Sequence, residues 1–488
     1  MQIQFDNSYA QLPERMFARS VPAASPDPAL IRVNRDLADE LGLDPDWLAG
    51  PEGVEFLSGR KIIEGSDPIA QAYAGHQFGN FVPQLGDGRA ILLGEVIDVE
   101  GKRRDIQLKG SGRTRFSRGG DGRAALGPVL REYVLSEAMA ALGIRTTRAL
   151  AALTTGEEVY RDTVLPGALL VRVASSHIRV GTFQYFAARG DVEGLRHLTD
   201  HVIARHYPEA AQEHEPILAL LSAVIGAQAD LVASWLHVGF IHGVMNTDNS
   251  SVSGETIDYG PCAFMDEYDP SKVFSSIDRA GRYAYANQPR IAQWNLARLA
   301  EALLPLIDED QDKAIEKAQD VLAGFEPRFT QAYHSGLRRK LGLFTAEDGD
   351  IELASSILDA MHDHQVDFTL FFRSLGRAAE GQDEQARSLF ADPSVFEQWA
   401  VNWRDRLSRE AQSPAERRAA MDKVNPAFIP RNHRVEAMIQ AAVKQGDFAP
   451  FEQLLAVTAK PYEEQPGLET FARPPLIHER VTATFCGT

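Results

Sequence analysis

Three side chains with oxygen donors lie close together in the stretch FIHGVMNTDNSSVSGETIDYG, residues 240–260. Asn249 and Asp258 are hard oxygen ligands of the kind that Mg²⁺ or Mn²⁺ prefers, and the turn-forming residues between them allow both to face one site. Asp248 provides a carboxylate that could take a proton from an incoming hydroxyl group. The stretch therefore indicates metal-dependent chemistry with Asp248 as the base, although an Asx-rich turn accounts for either half taken separately.

The same stretch has the spacing of the ATP-handling segment of protein kinases, with one letter changed. His242 and Asn249 are seven residues apart, as in H-R-D-x-x-x-x-N, and a D-Y-G triplet begins at Asp258 where D-F-G is expected. Val244 occupies the position of the kinase catalytic Asp. An inactive kinase, a chance match and a different reaction with ATP all stay open on this pattern.

Glycines and basic residues earlier in the chain are suited to binding a polyphosphate. In QLGDGRAILLGEV, Gly86 and Gly88 could bring backbone N–H groups close to phosphate oxygens, and Arg89 can make paired hydrogen bonds to phosphate. Lys109 ends the predicted strand IQLK, where a lysine can place its charge on a nucleotide phosphate. A plain turn and a solvated lysine are the alternatives at these positions.

Lys109 needs a carboxylate partner if it is buried, because an unpaired buried charge is costly. The helix predicted after it offers Glu132 and Glu137, which point in different directions, so only one of them can be the partner. We favour Glu132, since it lies in the first part of that helix and nearer the expected cleft.

Two further groups could complete a nucleotide site. Asp121 and Gly122 belong to a glycine-rich run before the same helix, where glycine permits close approach of a ligand. Asp121 could accept hydrogen bonds from a ribose or base, or orient a basic residue. Arg172 and Arg179 bracket a loop after the strand LLVRVA and could neutralise a polyphosphate or a departing pyrophosphate. A helix-entry loop and surface arginines are the alternative interpretations.

The elements that must position these residues change in type along the chain. Strands are predicted at 90–99, 105–109 and 169–174, and helices near 30–43 and at 129–142, 216–236, 292–306, 312–325, 354–361, 435–444 and 451–457. A strand-rich first part followed by a helix-rich second part predicts an α+β fold and suits two kinase-like lobes. The expected divisions are an N-terminal extension at 1–60, a strand-rich lobe at 61–165, a helical lobe at 166–340, and a C-terminal helical region with a cysteine-containing tail at 341–488.

The composition argues against some classes of partner. The 488-residue chain has a formal net charge of −18, so it lacks the basic surface on which general binding to nucleic acid or anionic lipid depends. No signal segment and no uninterrupted run of ~18 apolar residues is visible, which favours a cytoplasmic protein without a membrane span. The two cysteines, Cys262 and Cys486, are too few for a disulfide scaffold and lack metal-finger spacing.

Taken together, the motifs closely resemble the selenoprotein O family of pseudokinase-fold proteins. The segments that carry the resemblance are YAGHQFGNFVPQLGDGRA, IQLKGSGRTRFSRGGDGRA, VRVASSHIRVGTFQ, HGVMNTDNSSVSGETIDYGP, PRIAQWNLARLAEALLPL and NPAFIPRNHRVEAMIQAA. The resemblance implies a protein-kinase-like bilobal fold that binds ATP in an inverted orientation and transfers AMP, rather than phosphate, to Ser, Thr or Tyr hydroxyls of proteins.

Carried over to this sequence, the resemblance implies nucleotide contacts by Gly86, Gly88, Arg89, Lys109, Asp121, Gly122, Arg172 and Arg179. It also implies that Glu132 pairs with Lys109, that Asp248 is the base, and that Asn249 and Asp258 hold Mg²⁺ or Mn²⁺. The inverted orientation of the nucleotide explains why Val244 can replace the kinase Asp. An acceptor hydroxyl that attacks the α-phosphate approaches from a different side than one that attacks the γ-phosphate, so it does not need a base at position 244.

The resemblance bears on the two cysteines as well. Animal members carry selenocysteine near the C-terminus, and Cys486 stands at the corresponding place. A disulfide between Cys262 and Cys486 could tether the tail over the metal-binding segment as a redox gate, whereas a reducing cytosol favours two thiols. The expected function is protein adenylylation with release of pyrophosphate. A uridylyltransferase that uses UTP, a kinase with a displaced base and a non-catalytic nucleotide-binding scaffold stay open.

Overall fold

The computed structural model describes residues 3–485. The strands in that range are β1 (Phe17–Arg19), β2 (Ala29–Val33), β3 (Ile69–Gln71), β4 (Gly75–Gln77), β5 (Asn80–Val82), β6 (Ala90–Ile97), β7 (Arg103–Lys109), β8 (Ala124–Ala125), β9 (Arg148–Tyr160), β10 (Val164–Ala174), β11 (Phe240–Ile241) and β12 (Ala263–Phe264).

The α-helices are α1 (Arg35–Glu40), α2 (Pro45–Ala49), α3 (Pro51–Leu57), α4 (Leu126–Ala141), α5 (Val180–Ala187), α6 (Val192–His206), α7 (Pro216–His237), α8 (Gln288–Ile307), α9 (Gln311–Leu322), α10 (Phe325–Lys340), α11 (Asp350–Asp363), α12 (Phe368–Ala378), α13 (Glu384–Arg387), α14 (Pro393–Leu407), α15 (Pro414–Asp422), α16 (Asn432–Gln445), α17 (Ala449–Thr458) and α18 (Glu469–Ala472).

The main sheet is antiparallel and lies in the first part of the chain. Its order is β1-β3-β6-β7-β10-β9-β2, and β8 pairs with β10. Strands β6 and β7 form the predicted hairpin, with Ala90 opposite Lys109. The rest of the chain is mainly helical, so the mixed architecture with antiparallel sheets and many helices agrees with the α+β prediction.

Strand β7 presents one apolar and one polar face, because successive side chains of a strand point to opposite sides. Ile106 and Leu108 belong to the apolar face and pack in one core with helices α1 to α3. Gln107 and Lys109 belong to the opposite face, and Arg172 of β10 lies directly across from Gln107. The sheet register thus places the predicted lysine and arginine side by side.

Helix α4 is covered on two sides. Val129 and Leu130 share a core with residues of β9 and β10, and the same core includes Val435 of α16 and Phe451 of α17. The C-terminal helices therefore return to the sheet and pack on the helix that carries Glu132.

The stretch 240–260 lies in the helical part and begins at a short strand pair. Phe240 of β11 pairs with Phe264 of β12, and both phenylalanines are buried in the core built around helices α5 to α9. By length and composition α7 is the one described helix apolar enough to span a membrane, and 67% of its apolar window is buried within the protein, as expected for a core helix.

Two predictions about elements need correction. The helix predicted near 30–43 is wrong at its start, because Ala29–Val33 is strand β2, and α1 begins only at Arg35. Strand β9, Arg148–Tyr160, was not predicted. Its first half, RALAAL, lies within the sheet and is largely buried, so it shows no alternation of apolar and polar residues and contains Ala and Leu, which are typical of helices.

Candidate active site

A cleft of about 770 Å³ lies between the main sheet and the helical part. It brings together twelve residues predicted from the sequence, which are Gly86, Gly88, Arg89, Lys109, Asp121, Gly122, Glu132, Arg172, Arg179, Asp248, Asn249 and Asp258. These residues come from separate strands, loops and helices over more than 170 positions of the chain, and the fold collects them around one space.

Asp258 is the centre of a cluster of ion pairs in this cleft. Its Oδ1 accepts hydrogen bonds from Lys109 Nζ at 2.9 Å and from Arg172 Nη1 at 2.7 Å. Its Oδ2 accepts from Arg179 Nη1 at 2.9 Å. Lys109 also donates to Glu132, which accepts from Arg172 at 3.2 Å. Two carboxylates therefore neutralise two of the three cations, and the cluster keeps one excess positive charge.

The partner of Lys109 is Glu132 rather than Glu137. Glu137 instead accepts hydrogen bonds from Arg148 Nε and Nη2 and from the backbone N–H of Ala149, each at 2.9 Å. The five-residue separation on helix α4 turns the two carboxylates to different neighbours, as expected from helix geometry.

The ion pairs keep Asp258 charged. Burial alone would raise its pKa, but Lys109, Arg172 and Arg179 hold the pKa well below its usual value. The backbone of Asp258 has φ of 63°, in the left-handed region that few residues other than glycine adopt. A backbone held in this region next to a charged cluster is a feature of functional sites.

Asp248 differs from Asp258 in its surroundings. It is 8% exposed, and burial raises the pKa of its carboxyl to about 6, even though the positive charge of Arg179 lowers it. Its Oδ2 has one weak contact, with Gln77 Nε2 at 3.4 Å, and its Oδ1 has no hydrogen-bond partner among the described residues. A buried carboxylate oxygen without a partner, with a pKa near neutral, is suited to accept a proton.

The hairpin of β4 and β5 holds the Asp248 segment in place. The N–H of His76 donates to Thr247 Oγ1 at 2.7 Å, and the N–H of Phe78 donates to Asn246 Oδ1 at 3.0 Å. A Cβ atom added to Gly75 would lie 2.7 Å from Asp248 Oδ1. Only glycine therefore lets the hairpin approach this carboxylate so closely.

Two of the kinase-like positions in this loop, His242 and Asn249, make hydrogen bonds that fix the loop. His242 is buried, and its Nε2 contacts the carbonyl of Ile257 at 2.9 Å, so the histidine ties the loop to the segment before Asp258. Asn249 Nδ2 donates to the carbonyl of Val244 at 3.0 Å. That bond uses the amide nitrogen and leaves the amide oxygen as the atom of Asn249 suited to a cation.

Phe116 packs so closely against Gly86 and Gly88 that neither position has room for a side chain. A Cβ atom at Gly86 would lie 2.3 Å from the ring of Phe116, and one at Gly88 would lie 2.8 Å from the Phe116 carbonyl oxygen. The N–H of Gly88 donates to the Gly86 carbonyl, and the N–H of Asp87 donates to the Gln71 carbonyl. These two N–H groups are thus already used within the protein, and the glycines join this loop to the next glycine-rich loop.

Asp121 orients basic residues, which is one of the two roles expected for it. Arg161 donates to its carboxylate at 2.8 and 3.1 Å, and the N–H of Arg123 donates to it at 2.9 Å. Two other arginines of the cleft, Arg89 and Arg118, have no carboxylate within ion-pair distance in the part of the chain from 3 to 485. These two guanidinium groups are therefore available to an anion.

The donor set of the cleft fits a divalent cation held jointly with a nucleotide. No group of three or more His, Cys, Asp or Glu residues suited to a metal occurs within residues 3–485. Mg²⁺ commonly takes only one or two protein oxygen ligands and completes its shell with phosphates and water. Asn249 and Asp258 supply such a pair, and Asp248 lines the same cleft.

Sequence reasoning missed several residues of the cleft. Arg118 and Arg161 add positive charge, Gln77 touches Asp248, and Asp87 lies buried beside Arg179. Gln77, Asp87 and Arg118 belong to the glycine-rich segments that were singled out, so the unusual density of glycine was the available signal. Arg161 follows β9 and carried no such signal.

Cys262 is buried in the core next to strand β12. Cys486, the other half of the expected redox pair, lies outside the described residues. The described end of the tail nevertheless reaches this region, because Thr484 Oγ1 donates to the carbonyl of Pro261 and the Thr484 N–H donates to the Phe274 carbonyl at 2.7 Å. The tail therefore docks one residue before Cys262.

Comparisons with known proteins agree along the whole chain. The family model described as protein adenylyltransferase SelO matches residues 1–459. The protein nucleotidyltransferases YdiU of Bradyrhizobium sp. (strain ORS 278) and Rhodopseudomonas palustris (strain BisB18) are each 66% identical over 485 residues, with 99% of both chains covered. The protein of the same name from Methylorubrum populi is 65% identical over 492 residues, again with 99% coverage.

Proposed function

Because the chain belongs to the protein adenylyltransferase SelO family and is a protein nucleotidyltransferase, we propose that it transfers AMP from ATP to Ser, Thr or Tyr hydroxyls of proteins and releases pyrophosphate. The observation that carries this proposal is the position of Asp248. Its buried carboxyl, whose Oδ1 has no hydrogen-bond partner among residues 3–485, belongs to the lining of the same cleft as Arg89, Lys109 and the Asp258 cluster.

In the proposed reaction Asp248 accepts the proton of the acceptor hydroxyl as the hydroxyl oxygen forms a bond to the α-phosphorus. The bond between the α-phosphorus and the oxygen that bridges to the β-phosphate breaks, and pyrophosphate leaves with that electron pair. Arg89 and Arg118, which have no carboxylate partner within residues 3–485, would bind the negative charge of the β- and γ-phosphates. Mg²⁺ or Mn²⁺ held by Asn249 and Asp258 would neutralise charge on the phosphates.

Val244 supports transfer of AMP over transfer of the γ-phosphate. It lines the cleft at the position where a kinase carries its base, and it is 7% exposed. An aliphatic side chain cannot accept a proton there, whereas Asp248 four residues later has the pKa and the partnerless oxygen of a base. We also propose that the fold is kinase-like and bilobal, with Lys109 of β7 paired to Glu132 of α4 across from the Asp258 loop.

The test uses two radioactive forms of ATP. The protein is incubated with Mg²⁺ or Mn²⁺, a protein acceptor and either α-³²P-ATP or γ-³²P-ATP, and label bound to protein is measured. Adenylylation predicts label from the α position only, and its loss in Asp258→Ala. Asp98→Asn, at a buried carboxylate outside the cleft, is the control that should keep transfer. Label from γ-³²P-ATP only would establish a kinase and overturn the proposal.

Two other outcomes separate the remaining alternatives. Faster transfer from UTP than from ATP at equal concentrations would make the chain a protein uridylyltransferase that uses the same cleft. Nucleotide binding that survives in Asp248→Ala, together with no covalent product from the wild-type chain, would make it a scaffold. The burial of the Asp248 carboxylate favours an enzyme over a scaffold, because nucleotide binding alone does not require a buried carboxylate oxygen without a hydrogen-bond partner among residues 3–485.

We further propose that a disulfide between Cys262 and Cys486 makes the activity responsive to redox state. The contact of Thr484 with the Pro261 carbonyl supports it, because that contact brings the tail to within one residue of Cys262. Mass mapping under oxidising conditions tests the pairing, and transfer measured before and after reduction tests the response. Two cysteines that both stay reduced under oxidising conditions would overturn this part of the proposal.

A further inference from the structure

Three cations already contact the carboxylate of Asp258. Lys109 and Arg172 donate to Oδ1, and Arg179 donates to Oδ2 at 2.9 Å. A divalent cation on this carboxylate adds two positive charges next to three existing ones, and like charges at such distances repel strongly in a buried site. Metal binding is therefore favoured when these cations also have protein carboxylates, besides the nucleotide phosphates, to which they can move.

Two of the three cations already have such an anion. Lys109 and Arg172 both donate to Glu132, and Arg172 Nη2 also donates to Gln107 Oε1 at 2.6 Å. For Arg179 the other carboxylate within ion-pair distance is Asp87. The separation of Arg179 Nη2 and Asp87 Oδ1 is 3.9 Å, which is close enough for charge attraction but too long for a hydrogen bond.

Asp87 is buried and held as a fixed acceptor beside Arg179. It is 2% exposed, its Oδ2 accepts from the Gln71 N–H at 3.1 Å and from Gln107 Nε2 at 3.3 Å, and its Oδ1 lacks a hydrogen bond to any residue from 3 to 485. The side chain of Gln107 thus links Arg172 to Asp87. An oxygen buried without a partner costs free energy, so its retention next to an arginine points to a partner in another state.

We propose that Asp87 is a positioning residue that receives Arg179 when Asp258 takes the divalent cation. The inference rests on the proposed function. The required displacement of the Arg179 guanidinium is small, since shortening 3.9 Å to a hydrogen-bond length of ~2.9 Å moves it by ~1 Å. The guanidinium lies over the ring of Tyr73, 4.6 Å from its centre, and this flat surface supports either position.

The experiment measures metal binding rather than turnover. Free Mn²⁺ is followed by electron paramagnetic resonance while the full chain is titrated, at saturating α,β-methylene-ATP, whose methylene bridge prevents transfer of AMP. In Asp87→Asn we expect the dissociation constant for Mn²⁺ to rise about tenfold, which corresponds to ~1.4 kcal/mol. Affinity for the nucleotide analogue without metal should change less than threefold, which a general loss of structure would not allow.

Asp98→Asn is the matched control, because Asp98 is also buried beside an arginine but lies outside the cleft. The affinity of this variant for Mn²⁺ should equal that of the wild type. Asp87→Ser is a second variant, which removes the carboxylate and introduces no amide N–H donor facing Gln107 Nε2. It should show the same rise. Wild-type affinity in both Asp87 variants would overturn the inference alone. No binding of Mn²⁺ or of the analogue by the wild-type chain would overturn the proposed function and the inference with it.

Discussion

The substitution Asp248→Asn should make the fold more stable and the enzyme inactive. The carboxyl of Asp248 is 8% exposed, and burial raises its pKa from 3.8 to about 6. A carboxyl whose pKa is higher in the folded than in the unfolded protein binds protons more tightly when folded, so stability falls as pH rises from the unfolded to the folded pKa. The shift of about two units, at 1.36 kcal/mol per unit, gives a cost of ~3 kcal/mol that is fully present above pH 6.

Asn at this position removes the buried charge and keeps the size of the side chain. We expect the free energy of unfolding at pH 8 to increase by up to ~3 kcal/mol, and the difference from the wild type to shrink as pH falls below 6 and to vanish below the unfolded pKa of 3.8, where both states of the wild type bind the proton. Thermal unfolding of both proteins across this pH range measures the difference. Transfer from α-³²P-ATP should fall by about 10² to 10⁴, the usual contribution of a general base.

The wild-type rate supplies an independent check on the same carboxyl. Because a base must be deprotonated, transfer should fall about tenfold per pH unit below pH 6 and be level above it. Asp98→Asn is a control for which we expect the opposite change in stability. Arg104 and backbone N–H groups hold the pKa of Asp98 below its usual value despite its burial, so loss of this carboxylate should destabilise the fold. A less stable Asp248→Asn protein at pH 8, or one that transfers at the wild-type rate, would refute the reasoning.

Three further predictions concern the cleft and the helical core. Arg89→Gln and Arg118→Gln should each raise KM for ATP about tenfold with little change in thermal unfolding, because each removes a phosphate contact worth ~1.4 kcal/mol and breaks no ion pair in residues 3–485. Steady-state kinetics measures this, and an unchanged KM in both variants would contradict it. Gly75→Ala should reduce kcat at least tenfold by pressing on Asp248 Oδ1, whereas Gly101→Ala, at a turn open to solvent, should leave kcat unchanged. Lys340 is buried over two phenylalanine rings, and burial lowers its pKa from 10.5 to about 7. At 1.36 kcal/mol per unit this shift gives ~5 kcal/mol, so Lys340→Met should stabilise the protein by up to ~5 kcal/mol at pH 6 and by less as pH rises from 7 towards 10.5. An unfolding temperature that does not rise at pH 6 would contradict this.

The sequence indicated which residues lie together in the cleft better than it indicated the strands of the sheet. Asp248, Asn249 and Asp258 are adjacent in one loop, and their spacing alone indicates a shared site. Lys109 and Glu132 could be paired from sequence because one ends a strand and the other begins the next helix, so few geometries are possible. The first half of strand β9 was missed because both of its faces are buried, and burial on two sides removes the alternation on which strand prediction depends.

Contacts between distant segments were beyond sequence reasoning for a different reason. Asp121 was left with two roles, and the structure assigns it to Arg161, which lies 40 positions away across the ends of β9 and β10. The approach of Gly75 to Asp248 likewise joins residues 173 positions apart. Such pairs depend on sheet register and on how the hairpin packs, and neither property leaves a periodic signal in the chain.

The packing of α16 and α17 on helix α4 has a consequence for how the protein becomes active during synthesis. Every predicted residue of the cleft precedes position 259, yet the helix that carries Glu132 is covered on one side by α16 and α17, which follow position 431. A ribosome that has translated the whole cleft has therefore not yet supplied the cover that holds the Lys109 partner in place. We therefore expect a chain that ends before α16 to contain every predicted residue of the cleft and yet to hold helix α4 and its Glu132 less firmly in place.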